Sequence, residues 1–170
     1  MPAKASTQRT NGMNSYMTFL SLFGFGRGSA TATADSHGII SIYISQIILF
    51  NIKNEAKIKG LSNLEIIWGD VEKVGGTKIK DHSIDIIIIA NILFQVPDKN
   101  NVCAEAKRIL KNGGRALVID WLDSFGGLGP RKEDIFLLSQ AKDIFQKNGF
   151  LLNKEFDAGD HHYGLIFKKQ

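Results

Sequence analysis

The stretch Ile84–Ala90 reads IDIIIIA and carries four consecutive isoleucines. β-branched side chains favour an extended backbone. An apolar run without polar alternation is typical of a strand that is buried on both faces, as in the middle of a parallel sheet. Such a sheet needs helices on both of its faces, so this stretch predicts an α/β fold.

On both sides of this stretch, strand-like and helix-like segments alternate along the chain. The predicted strands are Met17–Phe23, Ile39–Ile44, Leu64–Trp68, Arg115–Trp121, Phe150–Phe156 and Tyr163–Lys168. The predicted helices are Gln46–Lys59, with Ser45 as its N-cap, Asp98–Lys111 and Glu133–Lys147. The alternation predicts right-handed βαβ units and a mostly parallel sheet. The last two strands follow each other directly, which predicts an antiparallel strand near the C-terminus.

The length of 170 residues fits one domain. Residues 1–15 are polar and show no periodic pattern, and we expect them to form a disordered tail. Residues 16–170 are predicted to form a single domain. The sequence carries no indication of an oligomeric state.

Charge and cysteine content exclude several classes of protein. The formal net charge is +4, and the lysines and arginines are scattered. Because a nucleic-acid-binding face concentrates its positive charge, we expect no nucleic-acid partner. The single cysteine, Cys103, excludes an internal disulfide and a cysteine-based metal site.

No apolar run reaches the about 18–20 residues of a membrane span, and no signal-peptide pattern is present, so we expect a soluble, cytoplasmic protein.

The residues that follow the predicted strands indicate a ligand site, because ligands of such sheets bind beyond the carboxyl ends of the strands. Three glycines, Gly24, Gly26 and Gly28, follow the first strand, and glycine lets the backbone approach a ligand closely. Gly69-Asp70-Val71 follows the third strand, and Ala90-Asn91 lies at the end of the fourth.

From about residue 17 to the C-terminus, the chain resembles the class I S-adenosylmethionine-dependent methyltransferases. The matching segments, in the family's order, are FGFGRG, NLEIIWGDVEKV, SIDIIIIANILFQVPDK, EAKRILKNGGRALVIDW, FQKNGFLL and HHYGLIFKK. The resemblance implies a three-layer Rossmann-like sandwich, whose mostly parallel seven-stranded sheet has an antiparallel strand near the C-terminus. It also implies a methyltransferase that uses S-adenosylmethionine and acts on a small-molecule acceptor.

The resemblance further implies which residues contact the cofactor. These are Gly24, Phe25, Gly26, Gly28, Tyr43, Ser45, Asp70, Val71, Ala90 and Asn91. The glycine loop would line the methionine part, and Tyr43 or Ser45 would face the ribose. The carboxylate of Asp70 would accept a hydrogen bond from the adenine amine, beside Val71. Ala90 and Asn91 would flank the sulfonium.

Two positions depart from the pattern of the family. Leu22 stands where members usually carry an acidic residue, and Tyr43 stands where they usually carry Asp or Glu for the ribose. A catalytically degenerate protein with this fold and a binding or partner role is therefore an alternative. An NAD-dependent oxidoreductase is a weaker alternative, since it also needs an acid after the second strand and a GxGxxG spacing.

Two other regions contain residues that could take part in chemistry. His161 and His162 lie in the last hairpin with Asp157 and Asp160, which could form a metal site, a solvated turn or part of the acceptor pocket. Adjacent histidines on an extended chain point in opposite directions, so we expect no shared metal. The loop Trp121–Pro130 is a candidate for contacts with an apolar acceptor. The sequence does not assign a catalytic residue.

Overall fold

The computed structural model describes residues 15–20, 38–43, 64–125 and 129–170, together with Asn54, Lys57, Ile58 and Gly60. The predicted tail, apart from Ser15, lies outside the described residues, and so do the glycine loop at 24–28 and Ser45. Of the predicted helix Gln46–Lys59, the described residues are helical.

Among the described residues, seven strands form one sheet in the order β3-β2-β1-β4-β5-β7-β6. The strands are β1 (Ser15–Leu20), β2 (Gly38–Tyr43), β3 (Leu64–Trp68), β4 (Ile84–Ala90), β5 (Leu110–Trp121), β6 (Phe150–Asp157) and β7 (His162–Lys169). The helices are α1 (Lys99–Ile109), a short 3₁₀ turn (Lys132–Asp134) and α2 (Leu138–Lys147). The neighbouring pairs from β3 to β5 are parallel, whereas β7 is antiparallel to β5 and to β6. The predicted α/β Rossmann-like fold is confirmed.

The isoleucine-rich strand β4 lies between β1 and β5, near the centre of the sheet. Ile87 and Ile89 are fully buried, as an apolar strand inside a layered fold requires. Ile86 and Ile88 alternate with them and are half-buried. The burial of β4 is therefore strongest on the face that carries Ile87 and Ile89.

The junction between α1 and β5 corrects a predicted boundary. The helix begins after Asp98, whose side chain accepts a hydrogen bond from the backbone N–H of Asn101 at 3.2 Å. It ends at Ile109, and β5 starts at once with Leu110. Pairing between β4 and β5 shifts register between Ile84 and Ile86, so residues 112–114, which follow the predicted helix end at Lys111, form a bulge inside the strand.

The helix predicted from Glu133 starts later than expected. Residues 132–134 form only a 3₁₀ turn, and α2 begins at Leu138. Phe136 lies between them, and its carbonyl accepts a hydrogen bond from the buried Tyr163 hydroxyl at 3.1 Å. Gln140 accepts from the backbone N–H of Leu137 at 2.9 Å and so closes the first helical turn. These contacts hold residues 135–137 outside the helix.

Strand register places the two ends of the sheet on opposite sides of the molecule. Leu20 pairs with Ala90 and Ala90 with Ile119, while Tyr43 pairs with Trp68. The carboxyl ends of β1–β5 therefore share one side, the carboxyl edge. The starts of β4, β5 and β6 and the end of the antiparallel β7 share the other side, the amino edge.

Candidate functional site

The turn after β3 presents Asp70 to solvent at the carboxyl edge. Its Oδ1 atom accepts a hydrogen bond from the backbone N–H of Glu72 at 3.0 Å, which fixes the orientation of the carboxylate. Its backbone N–H donates to the carbonyl of Gly76 at 3.2 Å. Val71, directly after it, is 1% exposed and belongs to the core. Among the described residues, the second carboxylate oxygen of Asp70 has no hydrogen-bond partner, and the next residue along the chain, Val71, is apolar and buried.

The loop that carries Asp70 is held by Glu105 of α1, a fully buried carboxylate. Its oxygens accept from the backbone N–H groups of Gly75 at 2.7 Å and Thr77 at 3.2 Å. Arg108 donates to both oxygens, at 2.7 and 2.8 Å. Burial by itself would raise the pKa of Glu105, but the hydrogen bonds from Arg108, Thr77 and Gly75 outweigh it and lower the pKa to about 2. Glu105 is thus charged and fixes the loop to α1.

Asn91 directly follows β4 and adopts a left-handed backbone, with φ of 51°. Its N–H donates to the carbonyl of Ile119 in β5 at 2.9 Å, which ties the turn to the sheet. Its side-chain Oδ1 is buried and has no hydrogen-bond partner among the described residues. Since buried polar atoms are nearly always satisfied, this oxygen indicates a position for a donor that the described residues do not supply.

Asp120, next to the end of β5, supports the turn that follows Asn91. It is fully buried and accepts from the backbone N–H groups of Leu93 at 2.8 Å and Trp121 at 2.9 Å. Burial raises the pKa of its carboxyl to about 6, because these backbone hydrogen bonds offset only part of the desolvation cost. The group fixes residues 91–93 at the carboxyl edge.

Aromatic and imidazole rings lie at the ends of β5 and β7 on the same edge. Phe125, half of whose surface is exposed, stacks on His161 with ring centroids 4.0 Å apart. The Nδ1 atom of His161 lies 2.9 Å from a carboxylate oxygen of Asp123. His162 packs on Trp121 at 4.2 Å instead, so the two histidines face different partners, as their adjacency on an extended chain predicts.

No group of three or more His, Cys, Asp or Glu side chains that could hold a metal ion occurs within the described ranges. The Nδ1 atom of His161 is in contact with Asp123. Burial lowers the pKa of His162, and so does the neighbouring His161, whereas Asp123 acts in the opposite direction. In the same part of the chain, no helix is long and apolar enough to cross a membrane.

Half of the predicted cofactor residues are described. Tyr43 ends β2 beside Trp68 of β3, and Asp70 and Val71 follow β3. Ala90 and Asn91 lie where β4 meets β5. The structure brings these positions to one edge of the sheet. Gly24, Phe25, Gly26, Gly28 and Ser45 lie outside the described residues.

Glu105 was not predicted from the sequence, and Asp120 was assigned no role. Glu105 lies at helical spacing from the buried Val102 and Ile109, so an acid on an apolar helix face was the available signal. Asp120 occupies an inward position of a strand that otherwise buries Ala116 and Val118. In both cases, an acidic residue in a core pattern indicates a buried carboxylate that needs partners.

The sequence profile of the methyltransferase domain family matches residues 22–118, more than half of the chain. The chain belongs to this family. The match includes β2 to β4, α1, the turns at Asp70 and Asn91, and most of β5. The predicted family is therefore confirmed.

Solved structures agree with this assignment. A SAM-dependent methyltransferase from Aquifex aeolicus has a similar structure, with a TM-score of 0.76 over 91% of this chain and 81% of its own. The two sequences are 16% identical, so this similarity shows the fold. A Sulfolobus solfataricus protein, provisionally classed as a type 11 methyltransferase, is 28% identical, with a TM-score of 0.63 over 78% of this chain and 71% of its own. Together with the family, they support S-adenosylmethionine as the cofactor.

A curated relative is similar over a shorter segment. Human arsenite methyltransferase is 42% identical over 59 residues, which make up 35% of this chain. The chain covers only 16% of the length of that relative. The two alternatives, a degenerate binding protein and an NAD-dependent oxidoreductase, receive no support from these comparisons.

Proposed function

We propose that this protein transfers a methyl group from S-adenosylmethionine to a small-molecule acceptor at the carboxyl edge. The observation that carries the proposal is the buried Oδ1 of Asn91, which lacks a partner among the described residues. An unmade buried hydrogen bond costs about 1–3 kcal/mol, and the ammonium group of the cofactor could remove that cost as a donor. When bound, the cofactor supplies an electrophilic methyl group on a positively charged sulfur.

The distance between the strand ends suits an elongated ligand. Asp70 follows β3, and Asn91 follows β4, three positions away in the sheet. Neighbouring strands lie about 4.8 Å apart, so the two ends are separated by about 14 Å. A ligand that joins an adenosine to an amino acid can extend across such an interval, with its adenine towards Asp70 and its methionine part towards Asn91.

Asp70 is suited to hold the amino group of an adenine. Because Oδ1 is engaged by the backbone of Glu72, the second oxygen remains to accept the amine hydrogen. The buried Val71 provides an apolar surface beneath it. From the sequence, we assign the loop Gly24–Gly28, with Phe25, to the methionine part, and Tyr43 or Ser45 to the ribose.

The acceptor would lie beside Trp121, Phe125 and His161. The exposed face of Phe125 offers apolar contact, and Asp123 holds Nδ1 of His161, which leaves Nε2 as the atom that can take a proton from the acceptor. The single cysteine, Cys103, is buried, and burial raises its thiol pKa to about 12, so it offers no thiolate. We propose an oxygen, nitrogen or carbon atom of the small molecule as the acceptor, because His161 can take the proton that such an atom carries.

Titration calorimetry with S-adenosylhomocysteine tests the cofactor part of the proposal. We expect micromolar binding by the wild-type protein. Asp70→Ala removes a charge-assisted hydrogen bond and should weaken binding by about 5- to 150-fold, which corresponds to about 1–3 kcal/mol. Asn91→Gly keeps the left-handed backbone that glycine tolerates and removes only the amide, so it should weaken binding by about tenfold.

Asp143→Ala provides a matched control, because Asp143 is an exposed carboxylate on α2, outside the carboxyl edge. Its affinity should remain within about twofold of the wild type, the range of a surface change. Absence of binding at millimolar S-adenosylhomocysteine would reject the proposed function. Unchanged affinity in both Asp70→Ala and Asn91→Gly would reject the proposed site while leaving the function open to another location.

A further inference from the structure

A second concave site lies at the amino edge, away from the residues assigned to the cofactor. It is an open cavity of about 600 Å³ between the end of α1, the turn after α2 and the end of β7. Its lining includes His82, Lys107, Arg108, Lys147, Gly149 and Lys169. Five of these six residues carry, or can carry, positive charge, and none is acidic.

The charges in this cavity are not equally compensated. Arg108 pairs with Glu105 and with Asp81, so its guanidinium is neutralised. Lys107, Lys147 and Lys169 form no ion pair with a carboxylate of the described residues. Three ammonium groups therefore contribute uncompensated charge to one cavity.

Lys169 is the most unusual of the three, because only 5% of its surface is exposed. Its Nζ donates to the carbonyl of Leu110 at 2.7 Å and lies 2.9 Å from Nδ1 of His82. Burial and the nearby Lys107 lower the pKa of its ammonium, while Asp81 acts in the opposite direction. A buried ammonium group that has no carboxylate in ion-pair contact is unfavourable, so a bound anion would stabilise this arrangement.

Gly149 shapes the cavity by its lack of a side chain. It adopts a positive φ of 81°, and a Cβ atom at this position would clash with Nζ of Lys107. The Lys107 ammonium therefore packs directly over the backbone of the turn after α2. This close packing places Lys107 on the same cavity as Lys169.

We propose that this cavity binds a small anion with several negative charges, such as a pyrophosphate or an organic phosphate. Lysine ammonium groups are compact point charges that suit phosphate oxygens, and three of them match a multiply charged group. The volume falls within the range of about 300–1,000 Å³ that small-molecule sites occupy. The site is separate from the carboxyl edge, so its ligand is distinct from the methyl donor.

Titration calorimetry with inorganic pyrophosphate tests this proposal on the full chain at low salt. The wild-type protein should bind, and binding should weaken as salt screens the lysines. Lys107→Gln and Lys147→Gln should each weaken it by about tenfold or more, as expected when a hydrogen bond to a charged group is lost. These two lysines are not buried, so both variants should fold even if Lys169→Gln does not.

Lys168→Gln is the matched control. It removes the same charge from the neighbouring position of β7, but Lys168 is exposed and does not line the cavity. Its pyrophosphate affinity should stay within about twofold of the wild type. Asp70→Ala should also leave the affinity for pyrophosphate unchanged, because Asp70 belongs to the proposed cofactor site at the carboxyl edge.

Three results would overturn the proposal. The first is the absence of pyrophosphate binding at millimolar concentration. The second is an equal loss of affinity in Lys168→Gln and Lys107→Gln, which would indicate nonspecific attraction by net charge. The third is binding of a single-stranded oligonucleotide in place of pyrophosphate, which would indicate a nucleic-acid surface instead of a small-anion site.

Discussion

The two edges of the sheet differ in which charges have partners. At the carboxyl edge, Asp70 and Asp120 have hydrogen bonds from backbone N–H groups but no ion pair among the described residues. At the amino edge, the carboxylates of Asp81 and Glu105 share Arg108, and three lysines form no ion pair within the described part of the chain. Among the described residues, Asp70 and Asp120 are therefore acidic groups without an ion pair at one edge, and the three lysines of the cavity are basic groups without one at the other.

This difference indicates which ligands each edge can hold. A cofactor with a sulfonium cation and amine donors suits a side that offers free carboxylate and amide oxygens. A phosphate suits the side that offers ammonium groups. Glu105 and Asp120 show the same contrast at the level of single groups. Both are fully buried, yet the pKa is about 2 where arginine is the partner and about 6 where only backbone N–H groups are.

The largest expected effect comes from removing the paired carboxylate. Glu105→Ala leaves Arg108 without its main partner and frees the N–H groups of Gly75 and Thr77. Breaking a buried ion pair on one side costs about 3–5 kcal/mol, and we expect that loss in the free energy of unfolding, measured by urea denaturation. A loss below about 1 kcal/mol, similar to that of an exposed control such as Asp143→Ala, would contradict the role of Glu105.

The next largest effect is on the pH dependence of stability, and it follows from the raised pKa of Asp120. Its carboxyl shifts from 3.8 to about 6 on folding, and each unit corresponds to about 1.4 kcal/mol, so folding disfavours the charged form by about 3 kcal/mol. As pH rises, the Asp120 carboxyl loses its proton in the unfolded state before it does so in the folded state. The free energy of unfolding should therefore fall as pH rises from about 4 to about 6. Carbon-13 NMR of the side-chain carboxyls should find the Asp120 midpoint near pH 6. A midpoint below pH 4.5 would contradict the burial argument.

The pKa of Glu105 is shifted in the opposite direction to that of Asp120, so the two carboxyls affect stability in opposite ways as pH changes. Its pKa lies below the ordinary value of 4.5, so the stability that it contributes should be lost as pH falls from about 4.5 to about 2. The two carboxylates therefore act in different pH windows, which allows denaturation curves at several pH values to distinguish them.

The smallest expected effect concerns the proposed acceptor side. His161→Gln should lower methyl transfer from labelled S-adenosylmethionine to a metabolite extract by about 100-fold, because it removes the group proposed to take the proton. Affinity for S-adenosylhomocysteine should be unchanged. Asp123→Asn should lower transfer less, since it only frees the ring that Asp123 orients. Full transfer activity in His161→Gln would exclude His161 as the base.

Strong local patterns predicted the fold well. The bounds of β3 and β4 agree with the predicted ones, because an apolar β-branched run between turn residues specifies a buried strand. Residues 111–114 were harder to predict, since glycines that end a helix also form the bulge that opens β5. The late start of α2 depends on the hydrogen bond of Phe136 to Tyr163, which is a contact between distant parts of the chain.

The positions of Asp70 and Asn91 at the end of their strands were predictable from the sequence, but the geometry of their side chains was not. Parallel topology and strand-end residues located Asp70 and Asn91 at one edge. Asn91 has a left-handed backbone and an Oδ1 atom without a partner among the described residues, and both depend on its packing against β5, which no local pattern encodes. Charge pairing of Glu105 with Arg108 likewise needs the loop at Gly75 and Thr77 to fold onto α1.

Amide chemical-shift mapping with S-adenosylhomocysteine tests the central claim, namely that the cofactor binds at the carboxyl edge. We expect the largest chemical-shift changes at residues 70–72 and 91–93, with no change at His82 or Lys169. Shifts concentrated at the amino edge, or absent from both turns at saturating ligand, would contradict it.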